Sequence, residues 1–131
     1  MAPQFVLENA KGKVFSNADF KDKIIVIDFW TTSCGQCFKK FPIVETLNRK
    51  VKGRSDILIF SVNNQLRDDT KEKAVEMIRK RGYTFDVLFS DLELTNKQFN
   101  FNGYPMVFII QNGERIIYRG SIDHVESVLN L

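Results

Sequence analysis

Ile24-Ile25-Val26-Ile27-Asp28-Phe29-Trp30-Thr31-Thr32-Ser33-Cys34-Gly35-Gln36-Cys37 is the stretch from which the rest of the chain is read. Ile24 to Ile27 are continuously β-branched, the pattern of a central strand covered on both faces. Beyond Cys37, the residues Phe38, Phe41, Val44, Leu47 and Val51 follow a helical pattern. Cys34 and Cys37, the only cysteines, therefore fall where a buried strand turns into a helix.

Outward from this junction the chain alternates strand and helix signals. Phe5-Val6-Leu7 and Lys13-Val14-Phe15 read as two short strands of a hairpin over about 4–16. They flank the turn Asn9-Ala10-Lys11-Gly12, where Gly12 can take a left-handed conformation. Ser16 to Phe20 is a polar connection with room for one helical turn. The helix carrying Cys37 is expected over about 35–51, kinked at Pro42 and stopped by Gly53. Ile57 to Val62 is a second buried strand. After a polar segment at 63–69, Asp68, Asp69 or Thr70 can cap a helix marked by Ala74, Met77, Ile78 and Arg81 and ended by Gly82. Val87-Leu88-Phe89 is a short strand, and 92–100 is weakly helical. Met106 to Ile110 and Arg115 to Tyr118 are strands joined through Asn112-Gly113, a hairpin signal. Ile122, Val125 and Val128 or Leu129 give a last helix. The order ββ-βαβαβα-ββα predicts an α/β sandwich, a single domain over 1–131 with a mixed central sheet and helices on both faces.

Composition narrows the function classes. The 131 residues are 44% hydrophobic, enough for a sizeable core, and the twelve Phe suit an aromatic-rich one. The net charge of +3 is spread along the chain. Its densest cluster, Arg49, Lys50, Lys52 and Arg54, lies near a helix end, where positive charge complements the dipole, so no nucleic-acid partner is expected. No apolar run approaches a membrane span. Met1-Ala2-Pro3-Gln4 opens no secretory signal, which leaves a cytoplasmic protein or a mature domain whose signal or anchor has been removed.

The cysteine spacing carries the chemistry. Positions i and i+3 share a helix face, so Cys34 and Cys37 can form a disulfide with little movement. Cys34 falls at the helix start, where unpaired N–H groups and the dipole favour a thiolate. Cys37 lies a turn further in and should be more buried. Cys34 is thus the expected nucleophile and Cys37 the resolving thiol. A structural zinc site needs about four Cys or His ligands, and only His124, expected on the surface, could add to the pair, so no metal is expected. A purely structural disulfide closing so short a loop adds little stability. Asp28 interrupts an apolar strand just before the pair. Burial raises a carboxyl's pKa, and from that position it could accept the Cys37 proton through a water. Tyr104-Pro105 directly precedes a core strand; base rates alone favour a trans bond there.

Asp28-Phe29-Trp30, Cys34-Gly35-Gln36-Cys37, Pro42, Gly103-Tyr104-Pro105 and Asn112-Gly113-Glu114, in this order, resemble the thioredoxin superfamily. The N-terminal hairpin with Phe15, Asp19-Phe20-Lys21 and Lys23, and the helix-strand insert at about 70–89, resemble its TlpA/ResA-like branch. The resemblance implies a thioredoxin-like three-layer sandwich. It implies a redox-active Cys34–Cys37 disulfide with no further cofactor, a buried acid at Asp28 and a cis-proline at Pro105. Tyr104 would offer backbone bonds to a substrate strand, and Trp30 would pack by the active site. Ser33, Gly35 and Gln36 complete the substrate-facing set. Two departures stand out: Gln36 replaces the Pro of Cys-Gly-Pro-Cys, and Ser33 replaces the Trp common before the first Cys. No Lys on 57–62 is available to pair with Asp28.

The leading expectation is a thiol-disulfide oxidoreductase that exchanges disulfides with protein substrates and is recharged by an upstream thiol reductant. The branch implies an extracytoplasmic, for instance periplasmic, location; the chain is expected to act as a monomer. A peroxiredoxin-like thiol peroxidase is the alternative: Thr31 has the spacing of the peroxidase pattern before Cys34, but Ile27 stands where that pattern has Pro. A non-catalytic binding module on the same fold is the third reading, and the presence of both cysteines argues against it.

Overall fold

The computed structural model describes residues 1–66, 69–91 and 97–131. The strands are β1 (Val6–Glu8), β2 (Val14–Ser16), β3 (Ile24–Trp30), β4 (Ile57–Asn64), β5 (Asp86–Ser90), β6 (Met106–Gln111) and β7 (Arg115–Gly120). The helices are α1 (Gly35–Lys50), α2 (Lys71–Lys80) and α3 (Val125–Val128), with 3-10 turns at Asn17–Phe20 and Ile122–His124. Residues 97–99 add a helical turn. The expected weak helix at 92–100 is described only in that part, and Asp68, one of the three candidate caps, lies outside the described residues. Thr70 is the cap: its hydroxyl accepts from the Lys73 N–H at 3.1 Å.

The strands form one mixed sheet in the order β2-β1-β5-β4-β3-β6-β7. The β3-α1-β4-α2-β5 run gives parallel neighbours, and the β6-β7 hairpin is antiparallel. Most long apolar segments therefore sit centrally, while β2 and β7 take the edges. At the β6-β7 turn, Asn112 and Gly113 have φ of 60° and 68°, as Asn-Gly hairpins require. Gly113 also answers a close approach. A Cβ there would lie 2.2 Å from the Asn17 carbonyl oxygen, and the Asn17 amide donates to the Gly113 and Pro3 carbonyls.

Alternation along β3 sends Val26, Asp28 and Trp30 to one face and Ile25, Ile27 and Phe29 to the other. The first face meets Cys37, Phe41, Val44 and Leu47 of α1, Ala74 and Ile78 of α2, and Ile122 and Val125. The second is rich in Phe: Phe5, Phe20, Phe99 and Phe101 pack on Phe29, Phe60 and Phe108. Helices are thus unevenly shared. α1, α2 and α3 cover one face, and short turns carrying aromatic rings cover much of the other. The twelve Phe do build the core, with only Phe15 and Phe38 partly exposed.

β3 runs through Asp28 to Trp30, the apolar run that leads into the cysteine pair. Two elements differ from expectation. β4 runs to Asn64 because its polar end, Ser61, Asn63 and Asn64, is itself buried in the sheet. The last helix is split into a 3-10 turn and a short α-helix, since the Ser121 hydroxyl accepts from the Asp123 N–H and starts the tighter turn first.

Glu45, a helix residue that pattern alone would put in solvent, is buried. Its carboxylate accepts from the Thr84 N–H and hydroxyl, both at 2.8 Å, from the Phe85 N–H at 3.2 Å and from Arg49 Nε at 3.0 Å. It pins the α2–β5 connection to α1.

Candidate active site

β3 delivers the chain to the C-terminal end of the parallel strands, and α1 starts there. Cys34 is the N-cap of α1, with extended backbone at φ −90° and ψ 97°. It forms a disulfide with Cys37, the Cα atoms 5.3 Å apart. The Cys34 sulfur accepts from the Cys37 N–H at 3.0 Å. α1 is sixteen residues long, so its dipole and first-turn N–H groups favour negative charge on this sulfur once the bond opens. Cys37 is wholly buried, whereas Cys34 is partly exposed. The asymmetry expected from the spacing is present.

Asp28 lies on the face of β3 that meets Cys37. It is 1% exposed, and neither carboxyl oxygen has a hydrogen-bond partner. Burial alone pushes its pKa from 3.8 to about 8. Its register partner on β4 is Ser61 and on β6 Val107, so no cation sits beside it on the sheet. On α1, Lys40 is turned outward to Asp123, at 2.7 Å.

Ser33, Gly35 and Gln36 are exposed beside the disulfide. Tyr104 and Pro105 are half-buried and joined by a cis peptide bond, so the trans form favoured by base rates is corrected and the form implied by resemblance is found. Pairing of Phe29 with Met106 puts Tyr104-Pro105 at the same end of the sheet as Trp30 and the disulfide. The Tyr104 hydroxyl accepts from the Asn64 amide at 2.8 Å, and its ring meets Phe101 edge-on. Trp30 packs under the site. It is 0% exposed, edge-on to Phe38 and Phe41, and donates through Nε1 to the Ser61 hydroxyl at 3.3 Å. It supports the site from beneath and offers a bound substrate no surface.

Three residues of the site, Thr32, Ser61 and Asn63, were given no role from the sequence. Thr32, two residues before Cys34, donates to the Asp69 carboxylate at 2.6 Å, which also accepts from the Leu66 N–H at 3.2 Å. Ser61 and Asn63 lie on the same face as Asp28. The available signal was their period-two spacing at the end of an apolar strand. His124 is exposed on the last 3-10 turn, as expected.

A mixed sheet of this order, with a Cys-x-x-Cys disulfide capping the first long helix and an N-terminal hairpin, defines a thioredoxin-superfamily domain of the TlpA/ResA-like branch. A solved structure assigned as a thiol-disulfide oxidoreductase from Bacteroides vulgatus superposes with a TM-score of 0.81 at 25% identity, covering 98% of this chain and 92% of that one. The family model described as Redoxin matches residues 1–129, and the chain belongs to that family. Among curated relatives it is 28% identical over 112 residues to the thioredoxin-like protein YneN of Bacillus subtilis (strain 168), covering 83% of this chain and 62% of that protein. It is 29% identical over 114 residues to the thiol-disulfide oxidoreductase ResA of Geobacillus kaustophilus (strain HTA426), covering 86% and 63%. The chain thus spans a little under two thirds of the length of these relatives.

Proposed function

We propose that the chain is a thiol-disulfide oxidoreductase acting on protein substrates through Cys34 and Cys37. The observation that carries this reading is the paired asymmetry of the site: one sulfur partly exposed at a helix N-terminus, the other buried on the face of an unpaired carboxyl. In the reducing direction, the Cys34 thiolate attacks a substrate disulfide, forms a mixed disulfide and releases one substrate thiolate, which takes a proton from solvent. The Cys37 thiol then gives its proton to the Asp28 carboxylate and attacks the Cys34 sulfur. The second substrate thiolate leaves, and two electrons have passed to the substrate. A group titrating near neutrality suits both directions, as base when Cys37 attacks and as acid when the disulfide is reopened.

An extended substrate segment would lie across Ser33, Gly35 and Gln36, hydrogen-bonded to the backbone of Tyr104 beside Pro105. A thiol reductant upstream would recharge the pair. The similarity to the TlpA/ResA-like branch supports an extracytoplasmic site of action, with the domain working as a monomer. Among the described residues no helix is long and apolar enough to cross a membrane.

Turnover of a protein disulfide such as insulin, driven by a small dithiol, tests the proposal. The wild-type protein should accelerate reduction, and Cys34→Ser should abolish the acceleration. A peroxide-consumption assay with the same reductant separates the peroxidase alternative; rapid peroxide turnover with no insulin reduction would reject the exchange reading.

A further inference from the structure

Among the described residues, four buried side-chain polar atoms lack a hydrogen-bond partner: both carboxyl oxygens of Asp28, and Nδ2 and Oδ1 of Asn63. Buried polar groups are nearly always paired, so each such exception calls for a cause. These two residues stand on adjacent parallel strands. Asp28 is in register with Ser61, and Trp30 with Asn63. Alternation sends Ser61 and Asn63 to the side of the sheet that carries Ile57 and Ile59, which is the α1 face that Asp28 shares. Asn63 is therefore the diagonal neighbour of Asp28 on the adjacent strand; the two side chains are not directly hydrogen-bonded, and one bridging water would join them.

The chemistry of the two groups is complementary. An ionised carboxylate only accepts, and the Asn amide brings two N–H donors. Ser61 can add a third donor through the same water, since its hydroxyl makes no direct bond to the carboxyl. Its oxygen is engaged by the Trp30 indole N–H, which directs its own hydrogen elsewhere, and its register partner is the Asp28 carboxylate. The other elements packed on this face bring little charge. From α1 come Phe41 and Cys37, which titrates only once reduced, while Lys40 is held by Asp123 and the buried Glu45 by Thr84, Phe85 and Arg49; α2 brings Ala74 and Ile78. β6 brings Val107. The chain's last turns bring Ile122 and Val125, and β7 brings Tyr118, whose hydroxyl is bound to the Ser121 carbonyl.

We infer that Asn63, assisted by Ser61, is a positioning residue for Asp28, supplying the hydrogen-bond donors that hold its carboxylate ready to take the Cys37 proton. The pair does with neutral donors what a neighbouring cation would do by charge. The inference rests on the proposed role of Asp28 as proton acceptor and assigns a means of keeping a buried acid usable.

The test is direct titration of the Asp28 carboxyl by carbon NMR in the oxidised protein. The wild-type midpoint should lie above the ordinary 3.8 but below the value of about 8 that burial alone sets. Losing donors to the charged form should move it up by about one pH unit in Asn63→Leu and in Asn63→Ala, with a smaller rise in Ser61→Ala. Asn63→Gln, which restores an amide, should recover part of the shift. Asn63→Ala covers the case in which the larger Leu prevents folding. A purely structural role would lower the melting temperature and leave the midpoint in place; an unmoved midpoint in the folded Asn63 variants overturns the inference. Failure of the Asp28 reading shows separately, because Asp28→Asn would then resolve mixed disulfides at the wild-type rate whatever the titration gives.

Discussion

Replacing Asp28 with Asn should stabilise the oxidised protein, by an amount that grows with pH. The folded-state pKa of about 8 lies well above the ordinary 3.8. Between these values the native state holds a proton that the unfolded chain has released, so stability falls as pH rises, by up to about 1.36 kcal/mol per pH unit. The carboxyl costs nothing below the unfolded pKa, and its cost levels off above the folded one. At pH 7 the accumulated penalty is up to roughly 4 kcal/mol, a large share of the ~5–15 kcal/mol that holds a typical domain together. Asn keeps the shape and cannot ionise. Urea denaturation of both oxidised proteins at several pH values from about 4.5 to 9 isolates the effect, since every other titrating group cancels in the difference. The two stability curves should nearly meet at the acid end, diverge through neutrality and run parallel above about pH 8. A constant difference across the whole range would refute the burial that raises the Asp28 pKa.

Other predictions follow from particular contacts. Glu45→Ala strips three α2–β5 donors of their acceptor and should cost about 2–3 kcal/mol by denaturant titration. Burial pushes the Glu45 pKa up, but hydrogen bonds from Thr84, Arg49 and Phe85 outweigh it and leave it lowered. Its stabilisation is therefore present above the unfolded value and lost as pH falls through the folded one, a pH dependence that Glu45→Gln should flatten. Gly113→Ala puts a Cβ 2.2 Å from the Asn17 carbonyl at a φ of 68°, so a loss on the order of 2 kcal/mol or more and a lower melting temperature are expected. Gln36→Pro removes one first-turn N–H near the Cys34 sulfur. It should raise the Cys34 thiol pKa and make the pair more reducing, by on the order of 30 mV in a glutathione redox titration.

The order of strands and helices could be read from the sequence because apolar periodicity and turn residues mark them locally. Ile24 to Ile27 and Ile57 to Val62 are unbroken, and Asn112-Gly113 names its own turn. The Cys34–Cys37 pair was legible for the same reason, since i and i+3 on a helix N-terminus fix both proximity and asymmetry. What stayed hidden depends on register between distant segments. That 57–62 offers Asp28 no Lys was legible, but not that Ser61 and Val107 would be its register partners. Glu45 looks like an ordinary surface residue of α1 until the α2–β5 connection folds over it. Trp30 was expected to pack by the active site, but that Phe38 and Phe41 from its own following helix would cover it was not legible. The cis bond before Pro105 was implied by the resemblance that Gly103-Tyr104-Pro105 carries, and not by base rates, which favour trans.

The central claim, that Cys34 attacks and Cys37 resolves, is tested most directly by trapping. Cys37→Ser, reduced and mixed with a disulfide-bearing protein substrate, should accumulate a covalent adduct visible by non-reducing electrophoresis and mass spectrometry. The adduct should be linked through Cys34, and added dithiol should release it. Cys34→Ser under the same conditions should trap little or nothing, because its remaining thiol is buried. Equal trapping by the two variants, or a Cys37→Ser protein that forms no adduct while wild-type turnover persists, would contradict the account.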